Sequence, residues 1–419
     1  MHRPLRRAVW LVLLAACTRP PAPTAPSAPN PTAPAARASS APTAAVRPQG
    51  APAPSIVSPA GARAAPPCLP AEPSASPGVL AEESAAALER GSSERALACA
   101  DEALQRAPRH VGALTARGEA LAAAGRVDEA RLAFARALAI EPDEPRALLG
   151  AAELHVRRLA SSPEAIEAGL EYALRGARAA NLRKDRELAG RLELVAGMAE
   201  NDLGRSHLAL GHLDRSVQAL PGDADAVYER GVALYELCRF DEAQRAFERA
   251  LALAPDDPWT IHQLGLLAER RGDERRAASL LGRARSLAPD DFKVELPVDM
   301  GGFRDEVEAA VASLPAEERS ALGSVPIEIQ DLPDLEDLLA VHPPLSPSIL
   351  GLFRGPSEDE PCTHADGPRC RTIVFYRKNL LRFARDRREL TEQVRVTLLH
   401  ELGHLHGESD DDLRARGLE

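Results

Sequence analysis

Prolines recur 34 residues apart at Pro108 and Pro142, and again at Pro221, Pro255 and Pro289. That period constrains the fold more than any other feature of the chain. Within each unit Gly118, Gly197, Gly231 and Gly265 hold the eighth position, and Ala96, Ala130, Ala209, Ala243 and Ala277 the twentieth. A large apolar residue follows four places later, at Phe134, Leu213, Phe247 and Leu281. Small residues at two fixed offsets let a pair of helices approach closely, and the proline stops the second helix before the next pair begins. One such hairpin cannot bury its apolar face alone; stacking several gives a continuous core and a concave surface. Six units are counted, starting near 77, 111, 145, 190, 224 and 258. The third is overlong, and its excess around "SSPEAIEAGLEYALRGARAANLRKD" predicts a longer helix or a loop there.

The segments "GEALAAAGRVDEARLAFARALAIEPDEP" and "GVALYELCRFDEAQRAFERALALAPDDP" resemble the tetratricopeptide repeat (TPR) family. The resemblance implies a mainly α chain whose residues 77–291 form an α-solenoid of about six hairpins, with a groove for a protein or peptide. A rigid spacer is the plainer alternative. Cys99 and Cys238 fall where small buried residues are expected and read as core. Aromatic residues at 3% suit a core built from small, helix-favouring side chains, and a formal charge of −11 argues against nucleic acid as a partner.

The amino end reads as an address. Arg3, Arg6 and Arg7 precede an apolar run too short to span a bilayer as a helix, and small residues then lead to Cys17. "LAAC" resembles the bacterial lipobox, so residues 1–17 are expected to be a lipoprotein signal with Cys17 as the lipidated residue. Residues 18–76, rich in alanine and proline, are expected to form a disordered linker. A bacterial cell-envelope location follows, lipid-anchored, at the outer membrane facing the periplasm or the surface.

From 292 to 419 the texture changes to that of a small α+β domain. "FRDEVEAAVASLP" and "PAEERSALG" read as helices, "VPIEIQ" and "RTIVFYR" as strands, and further helices are predicted over about 379–388 and from Thr391 to His406. On the last of these, Val394, Leu398, Leu402 and Leu405 form a buried stripe. His400 and His404 lie roughly opposite it, one turn apart, free to face a cleft and share a metal. His406 points elsewhere. Gly407 suits a left-handed helix end that brings Asp410 back, completing HExxHxxGxxD. Two histidines and a carboxylate leave a fourth position open, as a catalytic zinc site needs. Asp411 and Asp412 are alternatives, or groups that orient the histidines.

"VPIEIQDLPDL", "ILGLFRG", "RTIVFYRKNLLRFARD" and the final helix together resemble the minimal zincin-like metallopeptidase family. The resemblance implies one Zn2+ held by His400, His404 and Asp410, with Glu401 as general base. "PSEDEPCTHADGPRC" is an insert relative to that family. Cys362 and Cys370, which bracket part of it, are expected to pair as a disulfide. The strand "RTIVFYR" is expected at the cleft's edge, and Tyr376 on it is a weaker candidate for stabilising the tetrahedral intermediate. The basic stretch from Arg377 to Arg388 reads as a solvated helix face. The expected function is an exported, lipid-anchored zinc metallopeptidase whose repeats recruit a protein. The alternatives are a non-catalytic envelope scaffold with a structural metal, or a cell-wall peptide amidase.

Overall fold

A computed structural model of the chain describes residue 68 and residues 75–160, 162–323, 325–362 and 370–418. The signal segment with Cys17, and all of the linker except Cys68, Ala75 and Ser76, lie outside the described residues. The array opens with the hairpin α1 (Pro77–Glu89) and α2 (Ser93–Arg106). It continues with α3 (Val111–Ala123) and α4 (Val127–Ile140), then α5 (Pro145–Arg157) and α6 (Pro163–Leu182). α7 (Arg186–Asp202) and α8 (Ser206–Ala219), α9 (Ala224–Glu236) and α10 (Phe240–Leu253), and α11 (Pro258–Arg270) and α12 (Glu274–Leu287) complete a TPR-like solenoid. The excess in the third unit is helix, not loop: α6 has 20 residues and α7 has 17. The fourth hairpin accordingly starts before residue 190, where the Asp185 side chain accepts from the Leu188 amide and caps α7.

The repeat's small residues have a direct packing reason. A Cβ on Gly118 would sit 2.6 Å from the ring of Phe134, and one on Gly231 2.6 Å from the ring of Phe247. Each glycine is thus the seat for the large residue of the partner helix. Gly231→Val should destabilise the chain by about 2–3 kcal/mol, since the fully buried ring has no room to retreat. Urea unfolding of the two proteins would measure it; equal midpoints would refute the packing account.

Turns between paired helices use glycine at positive φ, as at Gly91, Gly125, Gly204 and Gly272. In the fifth hairpin Cys238 takes that place with φ 58°, although a side chain there is strained. Cys238 is a buried free thiol, as its reading as core requires. Cys99 is buried in the core as well, but it is disulfide-bonded to Cys68, which fastens the end of the linker to α2. A lone cysteine in a proline-rich segment gave no sign of its partner.

The C-terminal domain begins with α13 (Met300–Ser313) and α14 (Ala316–Leu322), followed by β1 (Ile327–Gln330), α15 (Leu335–Leu338), β2 (Gly351–Arg354) and β3 (Thr372–Tyr376). It closes with α16 (Arg377–Phe383), α17 (Arg387–Leu405) and α18 (Asp410–Ala415). The sheet order is β1-β3-β2, with β1 parallel and β2 antiparallel to β3. The strand "RTIVFYR" is therefore central rather than an edge, and β1 and β2 are the two edge strands. β3 is buried on both faces, which is why it reads as an unbroken apolar run. Ile373 and Phe375 pack with Phe303, Leu398 and Leu402. Val374 and Tyr376 pack on the other face with Leu338, Leu345, Leu352 and Cys238. The last two long helices divide earlier than their pattern suggests, because Asp386 accepts from the Glu389 amide and starts α17.

The basic stretch is solvated only in its second half, where Arg385, Arg387 and Arg388 are exposed; its first half is not a solvated face. Lys378 Nζ lies 3.1 Å from both Glu269 and Glu274, and Arg382 pairs with Glu269 and, at 2.8 Å, with Glu295. Arg377 reaches Asp331 and the Val298 carbonyl, and Arg387 reaches Glu306. From the array, Arg270 donates to the Pro333 carbonyl at 2.8 Å and Glu236 is hydrogen-bonded to Ser346. Cys238 Sγ points to the Leu345 carbonyl. Glu236 and Arg270 occupy the ends of first helices in successive hairpins, so α9 and α11 together cradle the C-terminal domain. Among the described residues no helix is long and apolar enough to cross a membrane.

Candidate metal centre

α17 carries the site because one of its faces is wholly committed to the core: Leu390, Val394, Leu398, Leu402 and Leu405 are buried. The chain leaves the helix at Gly407, whose φ of 81° allows the sharp turn. Ser409 then caps α18, forming a reciprocal capping box with Asp412. Asp410, the first residue of α18, thereby comes back over the helix it just left. Leu413 anchors the return; a Cβ at Gly403 would lie 2.2 Å from it, so only glycine lets α18 settle this closely.

The result brings His400, His404 and Asp410 together, with one potential ligand atom of each within 4.8 Å of the others. The two Nε2 atoms are 3.0 Å apart, and Asp410 Oδ1 lies 3.6 Å from that of His400 and 3.4 Å from that of His404. A tetrahedral zinc with bonds of about 2.0–2.1 Å would separate its ligand atoms by about 3.3 Å. The tautomers also agree. His400 Nδ1 is 2.6 Å from the Leu418 carbonyl and His404 Nδ1 is 3.0 Å from the Glu408 carbonyl. A carbonyl only accepts, so both Nδ1 atoms carry protons and both Nε2 lone pairs are turned inward. Two converging lone pairs with a carboxylate beside them fit a cation. Asp411 pairs with Arg414 and Asp412 is spent on the cap, so neither alternative reaches the site.

The cleft is narrower than the helical wheel suggests. His400 is 3% exposed and Glu401 2%: the tail at Leu418 lies against His400, and β2 lies against Glu401. Approach is from the side of His404 and Asp410, whose side chains keep 14% and 24% exposure. Burial pushes the Glu401 carboxyl up from its ordinary range against the opposing pull of His400 and His404. Burial would pull His404 down, but the Asp410 hydrogen bond and the Glu401 charge outweigh it and its pKa is raised. Glu401 lies against β2, accepting from the Phe353 amide. A Cβ on Gly351 would come within 2.9 Å of its Oε1.

Tyr376 is not part of this site. Its ring is fully buried on the far side of the sheet and its hydroxyl donates to Asp337 Oδ2 at 3.0 Å. Cys362 and Cys370 are joined by a disulfide. The described part of the insert touches the motif helix: the Glu358 amide donates to the Leu405 carbonyl at 2.7 Å, and Glu358 pairs with His406 at 2.8 Å. His406 also pairs with Glu318 and stands apart from the three-residue cluster.

Residue-type reasoning missed the backbone contributors, the carbonyls of Glu408 and Leu418 and the amide of Phe353. Main-chain groups leave no signature in a sequence. Gly351 was the one available signal, a glycine inside an apolar strand that marks a close approach.

Residues 322–418 match the model of the zincin-like metallopeptidase family. Residues 83–145 and 224–257 match tetratricopeptide repeat models. Among solved structures the chain is similar to YrrB, described as a TPR protein with an unusual peptide-binding site, at 19% identity and TM-score 0.36, covering 46% of this chain and 93% of that one. It is also similar to PilF of Pseudomonas aeruginosa, at 17% identity and TM-score 0.44, covering 51% and 92%. No curated protein matches it.

Proposed function

We propose that this chain, in which TPR repeats precede a C-terminal zincin-like domain, is an exported zinc metallopeptidase tethered through Cys17. The observation that carries the reading is the convergence of two Nε2 lone pairs and the Asp410 carboxylate, with Glu401 buried next to His400. A bound zinc would supply an acidified water and a polarised carbonyl. Glu401 suits the proton transfer, since its raised pKa lets it take a proton and return it to the departing amine. His400 and His404 are oriented in advance by the carbonyls behind them. β2, the edge strand that lies against Glu401, is the element along which an extended peptide would align.

TPR repeats generally mediate protein or peptide binding. Here the C-terminal domain already sits on α9 and α11, so a partner is assigned to the surface of the first four hairpins. Export is supported by two disulfides, which persist in oxidising compartments. The test is the metal content of the full chain purified without tags that bind metal. About one zinc per chain is expected, with roughly tenfold weaker binding or worse in Asp410→Ala. A well-folded wild type that takes up no zinc would refute the metal centre.

A further inference from the structure

We propose that the main-chain carbonyl of Leu418 is the positioning group for His400, so that the last residues of α18 and the tail beyond it set the affinity of the metal centre. The inference rests on His400 being a zinc ligand and adds what holds it. Leu418 O accepts from His400 Nδ1 at 2.6 Å, across 18 residues of chain. His400 is buried, so water is a poor substitute for that acceptor. A donor hydrogen bond at Nδ1 fixes the tautomer, aims Nε2 and raises its basicity, and loss of such a partner typically weakens metal binding 10–100-fold.

The carbonyl is itself held in place. The Leu418 amide donates to the Leu413 carbonyl at 3.0 Å after a turn at Gly417 with φ 72°. Leu413 is fully buried and the Leu418 side chain nearly so. The same short segment supplies Asp410 as a ligand and the Glu408 carbonyl that accepts from His404 Nδ1. Residues 408–418 thus carry one candidate ligand and the hydrogen-bond acceptors for the other two.

The experiment compares full-length wild type, Leu418→Ala and a chain lacking residues 418–419, by zinc competition against a chromophoric chelator and by the visible spectrum of the cobalt-loaded proteins. Leu418→Ala keeps the carbonyl and trims the packing; the deletion removes both. Zinc affinity 10–100-fold weaker with an altered cobalt spectrum for the deletion, and a clearly smaller loss with an unaltered spectrum for Leu418→Ala, is the expected result. Equal weakening in both would make the contribution one of packing and overturn the proposal, as would a deletion that binds zinc like wild type. Absence of zinc from the wild type would instead bring down the metal centre itself, and this inference with it.

Discussion

Glu401→Gln is expected to leave one zinc per chain and to lower peptide-bond cleavage by roughly 10²–10⁴-fold, the usual contribution of a positioned acid–base group. The substitution is nearly isosteric, and the amide oxygen can still accept from the Phe353 amide where the carboxylate now does. Because burial disfavours the charged carboxylate here, neutralising it should cost little stability. Zinc content and unfolding midpoint should therefore match wild type while turnover collapses. The assay runs unfolded protein beside cell-wall peptide fragments. Cleavage of only the latter would favour an amidase, and unchanged cleavage in the variant would remove Glu401 from its role. A zinc-loaded wild type inert towards both would leave the array as the working part.

Glu269→Ala is expected to be the most damaging single change to stability. Its buried carboxylate lies between Lys378 and Arg382, both mostly buried themselves. Removing one partner of a buried ion pair typically costs about 3–5 kcal/mol; Lys378 keeps Glu274 and Arg382 keeps Glu295, so the lower end of that range is expected. Glu274→Ala removes an exposed partner of the same lysine and should cost less than about 1 kcal/mol. Denaturant unfolding of the two variants measures the difference; similar small effects would show that the seam is weak. The pH dependence has a definite sign. Burial alone would lower Lys378, but Glu269 and Glu274 hold its pKa above the ordinary value. Its contribution is therefore full below the unfolded pKa of about 10.4 and is lost as pH rises through the higher folded value.

The helical hairpins and the candidate metal trio were legible because both depend on residue type at fixed spacing. Phe134, Gly118 and their equivalents repeat, and His400, His404 and Asp410 are tied together by one helix and one glycine turn. The strand order was not legible: β3 and a buried edge strand produce similar apolar runs, and only pairing tells them apart. Nor was the role of Lys378 and Arg382, since a cation on a helix looks alike whether it meets water or a buried glutamate from another domain. The depth at which His400 and Glu401 are buried was not legible for a related reason. The helical wheel of α17 leaves His400 and Glu401 off the apolar stripe, and what covers them is the main chain of the tail at Leu418 and of β2 at Gly351 and Phe353.

Cys238 at the fifth turn sets a limit on how such a gene can change. Each hairpin of a solenoid meets mainly its neighbours, so duplicating or losing a whole 34-residue unit ahead of α9 would lengthen or shorten the array and leave the Cys238, Arg270 and Glu269 contacts untouched. The same event between α10 and α11 would move two halves of one docking surface apart. Reach from the first hairpins is thus free to vary by duplication at one end, while the zincin-like end is frozen in register.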